Sequence, residues 1–396
     1  MGRSLIRPVT NVRSIPQSDL KTDNLMKELR DKRIIKALLA EIEKKTKTYS
    51  SPIHIMEVCG THTMTIHRYG LKKMLRKAGI EMLSGPGCPV CITPNEMHEA
   101  AIEFVTKREN FFLATFGDMT RVPTQKGSLQ TVIPAAGSIV KIVYSPEESV
   151  DMARINPEKE IVFFGVGFET TIPSIALTAK KASEQGLSNY AVLSAFWLIP
   201  PPLKAIVESK DTAIEGFLYP GHVSAIIGEK PYKFIAEEFG IPGAITGFEP
   251  GDILLAILSI LDQIKEGKAM VSNEYTRVVR PSGNPYAQKV IEDILEVKDA
   301  YWRGLGLIPQ SGLKLKKKYS AYDAEVKYNL RIKVGAGDLP GCRCGEVLRG
   351  KISPPQCPLF AKKCNPESPY GPCMVSFEGA CMAHYKYDRD EKADKR

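Results

Sequence analysis

No segment that carries a protein into or across a membrane is expected in this sequence. No apolar stretch of signal-peptide type follows Met1, and the longest aliphatic run, Ile253 to Leu261, stops at Asp262, far short of the ~18 residues that span a bilayer. A cytoplasmic protein with no membrane partner is the expectation. The common nucleotide and hydrolase signatures are missing too. No Walker A sequence occurs, and Gly165-Val166-Gly167 lacks the third glycine of the dinucleotide fingerprint, because Thr170 follows Glu169. Neither a Gly-x-Ser-x-Gly elbow nor a His-Glu-x-x-His helix is present. Charge is not concentrated either. Lys+Arg 54 against Asp+Glu 45 leaves +9, spread along the chain without interleaved aromatics. The densest basic run, Leu313 to Lys318, reads as a solvated face rather than a nucleic-acid stripe. A basic surface equally suits an acidic protein partner.

What is present is length, apolar residues and cysteine. With 396 residues, 43% of them hydrophobic, the chain can bury substantial cores and is expected to form two or three domains. Nine cysteines without a secretory signal point to metal or redox chemistry rather than a disulfide framework.

Residues 1 to 22, with Pro8 and Pro16, read as an arm. A helix is expected from Asp23 as N-cap, with Leu25, Met26, Leu29, Ile34, Ile35, Leu38, Leu39 and Ile42 at helical spacing. From Ile53 a short apolar strand ends in glycine and then in polar or reactive residues that open a helix. This happens at Val58-Cys59-Gly60, Leu83-Ser84-Gly85, Phe116-Gly117-Asp118, Phe164-Gly165-Val166-Gly167, Tyr219-Pro220-Gly221-His222 and Thr246-Gly247-Phe248-Glu249. Alternating strands and helices predict parallel sheets with right-handed crossovers. Pro146 and the charged stretch to Glu160 divide the series. The expected fold is therefore α/β: two small parallel-sheet domains around a cleft, over 51–145 and 146–268. A Cys-rich, mainly helical and loop domain follows over 269–396, with the helix of residues 1–50 packed on it. Ile291 to Trp302 reads as helical.

Three cysteine groups carry chemistry. Cys59 ends an apolar strand just before a helix, where ligands bind in open α/β sheets and where free amides favour a thiolate. His62 falls on the first turn of that helix. A small buried cysteine beside a solvated histidine is the plainer alternative. Gly85-Pro86-Gly87-Cys88-Pro89-Val90-Cys91 places a Cys-x-x-Cys between strand and helix, read as a redox dithiol ahead of half a zinc site. Thr93, Pro94 and Glu96 look like a cap, an N1 proline and the acid of a capping box. Cys342, Cys344, Cys357, Cys364, Cys373 and Cys381 lie among prolines and lack tight Cys-x-x-Cys knuckles, which favours an iron-sulfur cluster on four of them over zinc. Asp118, Glu169, His222 and Glu249 each follow a strand. Taken singly each reads as a cap or turn residue, and their shared edge raises them as a group.

The ordered set Glu57-Val58-Cys59-Gly60-Thr61-His62-Thr63, Gly85 to Cys91, Phe116-Gly117-Asp118-Met119, Gly167-Phe168-Glu169-Thr170-Thr171, Pro220-Gly221-His222-Val223, Thr246-Gly247-Phe248-Glu249-Pro250 and Glu378-Gly379-Ala380-Cys381 resembles the HypD family of hydrogenase maturation factors along nearly the whole chain. Residues 120–127 and 194–200 depart from the family's pattern. The resemblance implies a monomer that acts with a HypC-type small chaperone as the scaffold on which the Fe(CN)2CO group of [NiFe] hydrogenases is assembled. Cyanide arrives from a HypE-type donor, and the hydrogenase large subunit is served indirectly. It further implies Cys59 as an iron ligand, His62 as an orienting or proton-relaying neighbour, and Cys88 with Cys91 as a redox dithiol. Asp118, Glu169 and His222 join these as candidate catalytic residues. Cys342, Cys357, Cys364 and Cys381 are implied as [4Fe-4S] ligands, with Cys344 and Cys373 as a second redox pair, similar to ferredoxin:thioredoxin reductase. Two other readings stay open: an iron-sulfur dithiol oxidoreductase acting on proteins, and a binding protein with a zinc tail.

Overall fold

Parallel β-strands sorted into two sheets form the frame of the computed structural model, which describes residues 22–209, 213–335 and 338–388. Apart from Thr22, the arm expected over residues 1–22 lies outside them. The strands are β1 (Ile53–Glu57), β2 (Ile80–Ser84), β3 (Phe111–Thr115), β4 (Ile139–Ile142), β5 (Glu160–Gly167), β6 (Tyr190–Trp197), β7 (Gly216–Pro220), β8 (Gly243–Thr246), β9 (Val271–Asn273), β10 (Leu295–Trp302) and β11 (Gly306–Leu315). One sheet has the order β2-β1-β7-β8-β9, the other β10-β11-β6-β5-β3-β4. Every pairing is parallel except β10 with β11 and β11 with β6. β6 is buried along its full length and β5 at all but its first residue, as strands covered by helices on both faces are.

The expected division at residue 146 is not where the sheets divide. β3 and β4 precede it yet pair with β5, whereas β7 and β8 follow β6 yet return to β1. A local strand-glycine-helix pattern says that a parallel unit forms, not which sheet receives it. Residues beyond 269 also join both sheets, as β9 and as the β10–β11 hairpin. The helix expected over Ile291 to Trp302 is a helix only to Ile294, and the rest is β10. A register shift between Lys298 and Ala300 breaks the two-residue alternation that would have marked the strand.

The N-terminal helical segment is two helices, Thr22–Glu28 and Lys32–Thr46, with Asp31 capping the second by accepting from the Arg33 amide at 2.7 Å. The second does not pack on the Cys-rich tail. Its Leu38 and Ile42 join Ile253, Ile257 and Ile260 of the Pro250–Glu266 helix on the first sheet. Fully burying a side chain such as Ile42 is worth ~1.5–3 kcal/mol. Another cluster joins both sheets to the tail: Val58, Val166, Trp197, Tyr219 and Trp302 pack with Cys88, Cys91, Cys344, Cys373 and Cys381. The atypical 194–200 segment falls here, where Ser194 to Trp197 end β6 and Trp197 Nε1 donates to Thr93 Oγ1 at 3.3 Å. No helix among the described residues is long and apolar enough to cross a membrane.

Candidate metal and thiol site

Each sheet has one topological switch point, where successive strands are laid down in opposite directions. In the first it lies between β1 and β7, and in the second between β3 and β5. Crevices at the carboxyl ends of such strand pairs are where open α/β sheets bind ligands. Cys59 follows β1 and His222 follows β7; Asp118 follows β3 and Glu169 follows β5. Four of the candidate residues therefore flank the two switch points. Glu249, following β8, is structural: it caps the Pro250–Glu266 helix and accepts from Arg30 Nη2 at 2.7 Å.

Cys59 is buried and is the N-cap of the Gly60–Arg68 helix. The backbone amides of His62 and Thr61 at the helix start favour its thiolate. They do not win. Burial, with Glu378 and Glu57 nearby, pushes the thiol up to about 12, so it is protonated at neutral pH. The turn is held from below by Glu57, whose Oε2 accepts from the Cys59 amide at 3.0 Å and whose Oε1 accepts from Thr63 Oγ1 at 2.5 Å. From the tail, Glu378 accepts from Thr61 Oγ1 at 2.9 Å. Gly60 allows that approach: a Cβ there would lie 2.3 Å from Glu378 Cβ. Gly87 plays the same part on the other side, since its Cβ would lie 2.3 Å from the Cys59 nitrogen.

His62 is fully buried. Its Nε2 lies 3.3 Å from the Thr246 carbonyl, and its ring packs on Phe248, which stacks on exposed His222 with centroids 3.9 Å apart. Burial pushes the His62 imidazole down to about 4, so it is neutral. Its Nδ1 has no hydrogen-bond partner among the described residues. Glu169 is buried, with Oε1 accepting from the Ile199 amide at 3.0 Å and Oε2 without a partner among the described residues. Burial raises this carboxyl to about 7. Tyr232, stacked on Tyr219 at 4.3 Å, lies in the field of both Glu169 and Cys59. Asp118 lies in the field of Glu378.

Cys88 and Cys91 are buried with sulfurs 2.6 Å apart, and Cys88 Sγ accepts from the Cys91 amide at 3.3 Å. The capping box expected downstream does not form. Cys88 itself caps the short turn, Thr93 Oγ1 donates back to the Pro89 carbonyl, and Glu96 accepts from the Gly335 amide. Fully buried Cys373 hydrogen-bonds Cys344, Cys381 and Cys91. The structure thus brings Cys88, Cys91, Cys373 and Cys344 into one file of thiols. Bonds from Cys344, Cys381 and Cys91 hold Cys373 well below the ordinary thiol value. Cys342, Cys344, Cys357, Cys364 and Cys381 line one pocket with Val347, Leu359, Phe360 and Met374, and Cys373 stands outside that lining. Gly371 leaves room beside it, since a Cβ would lie 2.7 Å from Cys342 Sγ. Arg303 binds the thiol regions together: its amide donates to the Ile92 carbonyl at 2.8 Å, its Nη1 to Asn95 Oδ1 at 2.7 Å, and its Nε to Asp338.

Glu57, Glu378, Tyr232 and Arg303 have no role in the sequence reading. The two acids stand inside quoted motifs, which was the available signal. Nothing local marks Tyr232 or Arg303, whose neighbours come from distant parts of the chain.

A family model, HypD, described as "Hydrogenase formation hypA family", matches residues 33–388. The chain is 44% identical over 368 residues to a "Hydrogenase maturation factor HypD" of Rhodobacter capsulatus, covering 91% of this chain and 97% of that protein. It is 42% identical over 345 residues to the protein so named in Escherichia coli (strain K12), covering 87% and 91%. The chain belongs to the HypD family of hydrogenase maturation factors.

Proposed function

We propose that this chain matures [NiFe] hydrogenase as the scaffold on which, with a HypC-type small chaperone, the Fe(CN)2CO group is assembled, cyanide coming from a HypE-type donor. One observation carries the reading: a buried thiol at a switch point, Cys59, lies against a loop whose dithiol continues through Cys373 to the tail thiols. Cys59 gives the cargo iron a soft donor, which suits a metal bearing cyanide and carbonyl. On this reading neutral His62 and the partly protonated Glu169 would hold or move protons for that cargo.

The tail fits an iron-sulfur cluster better than zinc. Five thiols, Cys342, Cys344, Cys357, Cys364 and Cys381, line one pocket, more than one four-coordinate zinc takes. Cys342, Cys357, Cys364 and Cys381 would hold the cluster, a [4Fe-4S] centre on this reading, leaving Cys344 and Cys373 as the second redox pair. When bound, the cluster supplies single electrons. The protein's own thiols do the exchange. Cys373 thiolate attacks Cys91 of an oxidised Cys88–Cys91 pair, forming a Cys91–Cys373 bond and releasing Cys88. Cys344 then attacks Cys373, forming the Cys344–Cys373 disulfide and freeing Cys91. Two electrons and two protons thereby reach the dithiol beside Cys59.

The test is an anaerobic infrared spectrum of the protein purified with co-expressed maturation partners, beside Cys59→Ala. Bands of iron-bound cyanide and carbonyl in the wild type alone are expected. Bands in neither, with an iron-sulfur chromophore intact, would leave a dithiol oxidoreductase as the better account.

A further inference from the structure

A second cluster of ligating side chains contains no cysteine. His67 stands in the last turn of the Gly60–Arg68 helix, the helix that starts behind Cys59. His384 and Asp388 are four residues apart at the end of the Ala380–Tyr387 helix, which carries Cys381, and that spacing puts them on one face. The two helices pack together, and the ligating atoms of these three residues all lie within 4.8 Å of one another. His67 Nδ1 hydrogen-bonds Asp388 Oδ2, and His384 Nδ1 is 3.5 Å from the same oxygen. The imidazole planes are nearly perpendicular, at 89°, with centroids 5.4 Å apart, so the two rings approach the carboxylate from different directions rather than stacking. Both histidines are almost fully buried, at 3% and 1% exposure, and Asp388 is partly buried.

We propose that His67, His384 and Asp388 form a binding site for one divalent transition-metal ion, distinct from the cysteine centres. Two imidazole nitrogens and one carboxylate oxygen are the donor set of borderline cations such as Zn²⁺, Fe²⁺ and Co²⁺, and are poor for Ca²⁺ or Mg²⁺, which demand oxygen. Three protein ligands leave a position for solvent or another donor. Phe360, 5.6 Å from the His384 ring, provides an apolar wall. Burial holds His67 at about 4, the neutral form in which histidine ligates, so protons compete little at neutral pH. Lys72 lies in the field of His67, and it also faces the Glu81 carboxylate, which offsets its charge. An ion here would pin the helix behind Cys59 to the helix bearing Cys381.

The experiment adds Co²⁺ to the full-length protein as purified under anaerobic conditions. It counts bound cobalt by equilibrium dialysis and reads its ligands by X-ray absorption, for wild type, His67→Phe/His384→Phe and Asp388→Asn. One equivalent with nitrogen and oxygen neighbours only is expected in the wild type. Its affinity should fall at least ~10-fold in both variants, with all cysteines unchanged. Sulfur around that equivalent, no bound cobalt in the wild type, or equal binding in the variants would overturn the site. If the double variant fails to fold, Asp388→Asn, at a partly exposed helix end, decides by itself. None of these readouts depends on hydrogenase maturation.

Discussion

Gly87 presses on Cys59 so closely that a Cβ on the glycine would sit 2.3 Å from the Cys59 nitrogen and 2.5 Å from its Cα. The obstacle is backbone, which no rotamer change can move. Two thiol-bearing loops after adjacent strands are thereby held in contact. Gly87→Ala should cost ~1–3 kcal/mol, as overpacking of a tight site does, and should separate Cys59 from the Cys88–Cys91 loop. Denaturant unfolding of the variant beside Gly186→Ala, where a Cβ meets nothing within 4 Å but the positive φ adds strain, separates crowding from conformation. A Gly87→Ala protein no less stable than that control would contradict the close approach.

The thiol file predicts a trapped intermediate. With Cys344→Ser, the Cys91–Cys373 bond has no resolving thiol and should accumulate; with Cys373→Ser it cannot form. Peptide mapping by mass spectrometry under non-reducing conditions reads the cross-link directly. Its absence in Cys344→Ser protein refutes the proposed order of attack.

Glu169 should make stability fall as pH rises. A carboxyl raised to about 7 by burial, against ~4.3 in the unfolded chain, contributes fully below the unfolded value and loses that contribution as pH climbs through 7. Glu169→Gln is neutral throughout and keeps an acceptor for the Ile199 amide. The stability of Glu169→Gln minus that of the wild type should therefore increase between pH 4 and pH 8, by up to about 3 kcal/mol. Any fixed cost of its unpartnered amide cancels from that change. A pH-independent difference would mean that the carboxyl is not buried as described.

Arg303 is 2% exposed and bonds Asn95, Asp338 and the Ile92 carbonyl. Arg303→Met should cost ~3–5 kcal/mol by stranding Asp338 and should free the tail from the Cys88–Cys91 region. Hydrogen exchange should rise first around residues 338–348. Uniform protection across the tail would argue that other contacts hold it.

Loss of a tail ligand should act locally. Cys357→Ala should bleach any cluster chromophore and make the tail protease-sensitive, because metal binding and local folding are coupled, while the two sheets, whose strands do not include Cys357, stay folded by circular dichroism. Intact absorbance in this variant would remove Cys357 from the ligand set.

Much of this site was legible in the chain because it sits at strand ends. Six apolar runs ending in glycine marked six true strand termini, including those that carry Cys59, Asp118, Glu169 and His222. What the pattern hid was partnership. Nothing in the β7 sequence says that it returns to β1 rather than extending β6, and nothing near Glu378 says that it reaches Thr61. The Cys59 thiol shows a competition that sequence cannot weigh: helix-start amides favour the thiolate, and burial beside Glu378 and Glu57 outweighs them. The hairpin at β10 was hidden by its own irregularity between Lys298 and Ala300.

The interleaving of the two sheets also sets a timetable for synthesis. As the chain leaves the ribosome, β1 and β2 cannot close their sheet until β7 and β8 follow, and in between β3 to β6 must build the other one. Cys59 therefore waits for about 160 further residues before its switch point exists, and for Cys373 before its thiol file is complete. Pairings so remote in sequence form slowly and leave apolar edges bare meanwhile. A nascent or truncated chain would offer scattered thiols but no assembled thiol site, so any chemistry that needs them together is deferred until residues near Cys373 have been made.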